Sequence, residues 1–302
     1  MTGALFIIGL LVSPAVGAGE DTILARELSA VTTGFHGTVG VYARHLKTGH
    51  WAAINADDIF PTASMIKVPI LAGLFDRISS GTLDYNQEFK YEASRAHGDE
   101  QMLGHYRDSE TITTAKLIWL MESISDNTAA LWCQELAGGG GGINAWLEAH
   151  GFAKTRVNSR TPGREEAKKQ YGWGQTTPRE IADLLVMIRD GKAVSPAASA
   201  EMFRALSRTY WDEESIAALP PTAHVASKQG AVEHSRSEVL LVSAPSGDYV
   251  LGTITKDQAD TRYEHNNEGY ELLRKVSAAV WKRWGGKPWT PAAGSERYWK
   301  KD

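Results

Sequence analysis

The sequence predicts an α/β protein of the α+β kind: one antiparallel sheet flanked by helices, with an all-helical domain inserted between its strands. Apolar residues alternate with a period of two near both ends of the chain and recur every three to four residues through the middle. No internal repeat or Pro/Ser-rich linker separates these regions. Strands at the two ends must therefore pair across the helical block. The expected division is a discontinuous α/β domain, residues 19–58 and 222–302, around a helical domain, residues 59–221, whose segment 155–177 is a loop.

Each element has a local cause. Thr38 to Arg44 and His50 to Ile54 read as strands, and Lys47-Thr48-Gly49 supplies the turn of a hairpin. From Pro61 to Ile78 the period becomes helical, with Ile66, Ile70, Leu71 and Leu74 on one face. Ile112 to Met121 is a second helix, with Thr111, Thr113 and Thr114 as cap candidates. Helices follow at Asn127 to Leu136 and Gly142 to His150, and the run Gly138 to Gly142 reads as a flexible connection. No Gly-Lys-Ser/Thr follows the glycines, so they are not a phosphate loop. Pro178 to Arg189 is an amphipathic helix opened by Thr176-Thr177, with Pro at a favoured early position. Glu238 to Val242 and Asp248 to Thr255 are strands joined by Pro245-Ser246-Gly247, and a last helix spans Glu268 to Trp284.

Composition narrows the function. A net charge of −4 on 302 residues excludes a strongly basic nucleic-acid binder, and 10 Trp with 10 Tyr exclude an acidic disordered chain. One cysteine, Cys133, excludes a disulfide framework and a thiolate zinc cluster; its apolar helix makes it a packing residue. The histidines form no His-Glu-x-x-His, so no metal is expected, and no organic cofactor either. Residues 1–18 read as an export signal: an apolar run, Ala4 to Val12, is followed by Val16-Gly17-Ala18. The run is too short to span a membrane, and it lacks a basic residue, the first being Arg26. The expected location is periplasmic or extracellular.

Three short motifs carry the chemistry, in this order: Ser64-Met65-Ile66-Lys67, Ser125-Asp126-Asn127 and Lys228-Gln229-Gly230. Ser-x-x-Lys is expected about once by chance in such a chain, whereas Ser-Asp-Asn is expected about 0.02 times, so the second motif gives the set its weight. Three residues apart on a helix, Ser64 and Lys67 share a face. A serine hydroxyl is a weak nucleophile and needs an adjacent base; a lysine supplies it when burial or nearby positive charge lowers its pKa. Ser125 is placed to relay a proton and Asn127 to offer its amide to a substrate. Lys228 adds positive charge that favours a neutral Lys67 and holds a substrate carboxylate. Backbone N–H groups at Ser64 and Ala231 are the candidate oxyanion donors, and Arg236 is a candidate carboxylate clamp. His97, His105, Tyr106 and Trp173 are candidate lining residues. Each of these has a bland reading as a cap, a core group or a surface charge; their joint occurrence favours the functional one.

These motifs resemble those of the class A serine β-lactamases and the related penicillin-binding serine hydrolases. Pro61 to Ile70 is similar to the family's nucleophile segment, and Ser125 to Ala130 to its second motif. Lys228-Gln229-Gly230-Ala231 is similar to its third motif, with Gln229 where Thr or Ser is usual. Ser235-Arg236 matches the family's arginine near the substrate carboxylate. The resemblance implies acylation of Ser64 by a β-lactam or peptide-like amide, then hydrolysis. It also implies a Glu-bearing loop between the second and third motifs, and at that loop the chain departs. Thr161 falls where the deacylating Glu belongs, and Ser159 and Gln175 fall where the loop's usual salt bridge would be. Glu165 and Glu166 lie nearby, and their bland reading is solvated loop charge. The expectation is a β-lactamase-like hydrolase with slow deacylation. The alternatives are a penicillin-binding-type DD-peptidase, amidase or esterase, and a non-catalytic binder. The expected partner is a small β-lactam or a cell-wall peptide, and the expected state is a monomer.

Overall fold

A computed structural model describes residues 18–98 and 102–294. The export signal expected at 1–18 lies outside them except for Ala18. Along the chain run α1 (Thr22–Thr32), β1 (Thr38–His45), β2 (Trp51–Ile54), β3 (Phe60–Pro61) and α2 (Lys67–Ser79). Next come β4 (Glu88–Lys90), β5 (Thr111–Thr113), α3 (Thr114–Ser123), α4 (Asn127–Leu136) and α5 (Gly139–Ala149). Then follow β6 (Arg156–Val157), α6 (Glu165–Tyr171), β7 (Gly174–Thr176), α7 (Pro178–Arg189) and α8 (Pro196–Leu206). The chain closes with β8 (His224–Val232), β9 (Ser235–Ser243), β10 (Tyr249–Lys256) and α9 (Glu268–Trp284).

The main sheet has the order β2-β1-β10-β9-β8 and is antiparallel throughout. Strands from the start and the end of the chain therefore meet, with Val41 opposite Thr253 and Ala43 opposite Leu251. One face of the sheet packs Val41, Leu240 and Leu251 against Leu24 and Leu28 of α1 and Leu272, Val276 and Val280 of α9. The other face packs Val239, Leu241, Val250 and Ile254 against α7 and the helices around α2. Burial on both faces is why β9 and β10 read as nearly continuous apolar runs rather than a clean alternation.

Helix starts follow their caps. Asp126 Oδ1 accepts from Ala129 N and begins α4, Thr177 accepts from Glu180 N and begins α7, and Asn267 accepts from Gly269 N and Tyr270 N and begins α9. Two expectations are corrected. The second helix begins at Thr114, because Thr111–Thr113 pairs with β4 as a strand and Thr113 is the cap. The glycine run is not a flexible connection. Gly138, at φ 91°, caps α5, and Gly139 to Gly142 form its first turn. Tertiary packing offsets their poor helix propensity: a Cβ at Gly140 would overlap Thr161 Oγ1, so the bare backbone lets segment 155–177, expected as a loop but holding β6, α6 and β7, seat on α5. Among the described residues no helix is long and apolar enough to cross a membrane.

Candidate active site

The three motifs come from separate elements and converge on one ammonium group. Ser64 lies in a 3₁₀ turn, Ala63–Ile66, that runs directly into α2, and Lys67 is the first residue of α2. Lys67 is fully buried (0% exposed). Its Nζ lies within hydrogen-bond distance of Ser64 Oγ at 3.1 Å, Ser125 Oγ at 2.9 Å, Ser125 O at 2.6 Å and Asn127 Oδ1 at 2.9 Å. Ser125 sits in the break between α3 and α4 at φ 62°, the left-handed region, which costs on the order of 1–3 kcal/mol in a non-glycine residue. That conformation turns both its carbonyl and its hydroxyl toward Lys67.

Lys228, on edge strand β8, completes the cluster. Its Nζ donates to Ser125 Oγ at 3.1 Å, to Gln229 O at 3.1 Å and to Gln229 Oε1. Ser125 thus lies between the two lysines. Burial drives Lys67 well below the usual lysine range, and the Lys228 charge pushes the same way. Burial brings Lys228 down to about 8, against the opposing pull of Glu122, Glu214 and Glu238. Glu238, fixed by Ser215 N and Ser227 Oγ, is pushed by burial up to about 7, and Glu214 up to about 8.

Gly230 explains how β8 reaches the nucleophile. A Cβ there would stand 2.7 Å from Thr62 O and 2.8 Å from Ser64 N, so only glycine permits the approach. Ser237 Oγ, opposite Gly230 on β9, donates to Thr62 O and Gly230 O at 3.2 Å and ties strand to turn. Above them opens a cleft of about 610 Å³ whose lining includes Ser64, Asn127, Ala231, His97 and Trp173. The rings of His97 and Trp173 meet at 5.2 Å across its rim.

The structure does not bring every candidate to this place. Arg236 is fully buried, sandwiched between the rings of Tyr263 and Tyr270 at 4.5 and 4.7 Å. Its guanidinium donates to the carbonyls of Val232, Ser235 and Arg262. The period of two is the reason: Ser235 and Ser237 face the cleft side of β9, which sends Arg236 to the face covered by α9. It is therefore not placed as a carboxylate clamp. His105 is exposed and Tyr106 packs edge-on against Tyr91, so neither lines the cleft. Cys133 lies in the core, where burial raises its thiol pKa, as a packing residue does.

Loop 155–177 carries no carboxylate toward Ser64. Thr161 is buried against Gly140 and its hydroxyl donates to Ser159 O at 2.9 Å. Glu165 is exposed and accepts from Gly163 N at 3.0 Å. Glu166 is 86% exposed and pairs with Lys169. In place of an ion pair, Arg164 holds the loop, donating to Asn158 Oδ1 at 3.0 Å and Gln175 Oε1 at 2.7 Å.

Among the residues of this neighbourhood that no motif contains, Glu122 bears on both lysines. Glu122, in the last turn of α3, is 2% exposed and interacts electrostatically with both lysines. A glutamate amid Leu117, Ile118, Leu120 and Met121 was the available signal.

Comparison with known proteins places this geometry. A family model described as the beta-lactamase enzyme family matches residues 23–284. Beta-lactamase AER-1 of Aeromonas hydrophila is 25% identical over 85% of this chain and 87% of its own length. Beta-lactamase FAR-1 of Nocardia farcinica is 26% identical over 84% of this chain and 80% of its own. Among solved structures, a PBP-A variant in an acyl-enzyme complex with penicillin G superposes with a TM-score of 0.78 at 25% identity, covering 88% of this chain and 98% of that one. The chain belongs to the beta-lactamase enzyme family, as a class A-like serine hydrolase.

Proposed function

We propose that this protein is an exported serine hydrolase that is acylated at Ser64 by β-lactams and deacylates slowly. The observation that carries the reading is the position of Lys67 Nζ, within hydrogen-bond reach of Ser64 Oγ, Ser125 Oγ and Asn127 Oδ1 at once. A neutral Lys67 takes the proton of Ser64 as Oγ bonds to the lactam carbonyl carbon. The backbone N–H groups of Ser64 and Ala231 receive the oxyanion. The C–N bond then breaks, and the proton passes from Lys67 through Ser125 to the leaving nitrogen. Charged Lys228 holds Ser125 for that transfer and draws the substrate carboxylate, a task left to it because Arg236 is committed elsewhere. Asn127 and Gly230 position the acyl amide beside Ser64, and Gln229 orients Lys228.

Slow deacylation rests on Thr161, Glu165 and Glu166. Hydrolysis of the ester needs a base beside the attacking water. Thr161 has no such basicity, and the two glutamates sit in solvent with other partners. Export rests on the pattern of residues 1–18. The same missing carboxylate favours a second reading, a penicillin-binding-type peptidase or esterase, and the likeness to the penicillin G acyl-enzyme of PBP-A fits both.

Turnover of a chromogenic cephalosporin tests the slow step. The expected trace is a burst of about one equivalent, then a slow steady rate that is the same in the Glu165→Gln/Glu166→Gln double variant. A fast steady rate, whether it survives in the double variant or is abolished there, would overturn it.

A further inference from the structure

Glu122 belongs to no motif, yet it lies where the acylating groups are most sensitive to charge. It sits three residues before Ser125, in the last turn of a helix packed on α2, α4 and α8. Both carboxylate oxygens are buried and accept no hydrogen bond from the described residues. A buried carboxylate without a donor is costly unless cations lie close by. Lys67 of α2 and Lys228 of β8 supply that positive charge. Among the neighbouring titratable groups, Cys133 of α4 is a buried thiol, and Asp126 is occupied by Ala129 N and Leu103 N. The buried residues of α8 carry no charge.

We propose that Glu122 is a positioning residue of the acylating site, a buried counter-charge shared by both lysines that helps Lys228 stay protonated while Lys67 stays neutral. Glu214 and Glu238 also pull on Lys228, but among these three glutamates Glu122 is the one that pulls on both lysines. Lys228 keeps the proton because three buried carboxylates pull on it, whereas burial and the Lys228 charge both push Lys67 down. Burial pushes Glu122 up to about 7, against the pull of both lysines, so its charge responds to pH in the working range. Glu122 touches neither substrate nor Ser64; it acts through the lysines. The inference rests on acylation at Ser64, and its primary test needs no substrate.

That test is lysine side-chain NMR on the full folded chain, with the Lys67 and Lys228 signals assigned from Lys67→Arg and Lys228→Arg. In Glu122→Gln both titration midpoints fall by about one pH unit, because a nearby negative charge has been removed. Glu122→Asp restores them. Unmoved midpoints in a folded Glu122→Gln overturn the proposal, even if penicillin still acylates Ser64. Where Glu122→Gln does not fold, Glu122→Asp with Glu122→Met supplies the same contrast. The second readout is the pH profile of penicillin acylation. Both limbs move to lower pH in Glu122→Gln, whereas a merely structural role lowers the plateau and leaves the limbs in place. Failure of wild type to acylate would sink the functional reading and leave the NMR result standing.

Discussion

Lys67→Ala lowers the rate at which penicillin acylates Ser64 by about 10²–10⁴-fold, the usual contribution of a general base. Nothing else near Ser64 Oγ replaces it: Lys228 bonds Ser125 rather than Ser64, and the loop carboxylates are in solvent. Stopped-flow labelling with a fluorescent penicillin measures the effect. The pH dependence carries the sign. Lys67 works as the neutral amine, and burial depresses its folded pKa with help from the Lys228 charge, so acylation rises with pH at the acid end as Lys67 loses its proton. Lys228 works as the cation, and it sits near 8, so acylation falls again as pH rises past about 8. A rate that kept rising to pH 10 would show that Lys228 does not act as a cation in acylation.

Gly230→Ala combines a large kinetic loss with a structural one. The added Cβ meets two backbone atoms, Thr62 O and Ser64 N, and neither can rotate away. Strand β8 must therefore move off the nucleophile turn and carry the N–H of Ala231 with it. Loss of an aligned oxyanion donor costs about 10²–10³-fold in acylation. Overpacking costs a further ~1–3 kcal/mol of stability. Labelling rate and thermal melting together check it. A variant that labelled at the wild-type rate would show that β8 does not furnish the oxyanion site.

Much of this was legible in the chain because the local signals are strong. The helices at Asn127–Leu136, Pro178–Arg189 and Glu268–Trp284 match their expected limits, since Asp126, Thr177 and Asn267 cap them and an apolar stripe runs through each. The convergence of Ser64, Lys67, Ser125, Asn127 and Lys228 was legible from motif order alone. What stayed hidden depends on tertiary context. The glycine run looks like a linker until Thr161 is seen packed against Gly140. Arg236 looks like a clamp until the strand period turns it toward Tyr263 and Tyr270. Helices α1 and α8 gain their stability from packing, against α9 and α7 respectively, rather than from strong local pattern. Glu122 is invisible to motif reading because its significance lies in two lysines that the fold brings near it.

The central claim is that Ser64 forms the covalent bond. Intact-protein mass spectrometry after mixing with a penicillin, on wild type and on Ser64→Ala, tests it most directly. The expected result is an adduct of one intact penicillin on wild type that persists as deacylation lags, and none on Ser64→Ala. An adduct that survives in Ser64→Ala, or no adduct on wild type at any time, would contradict it.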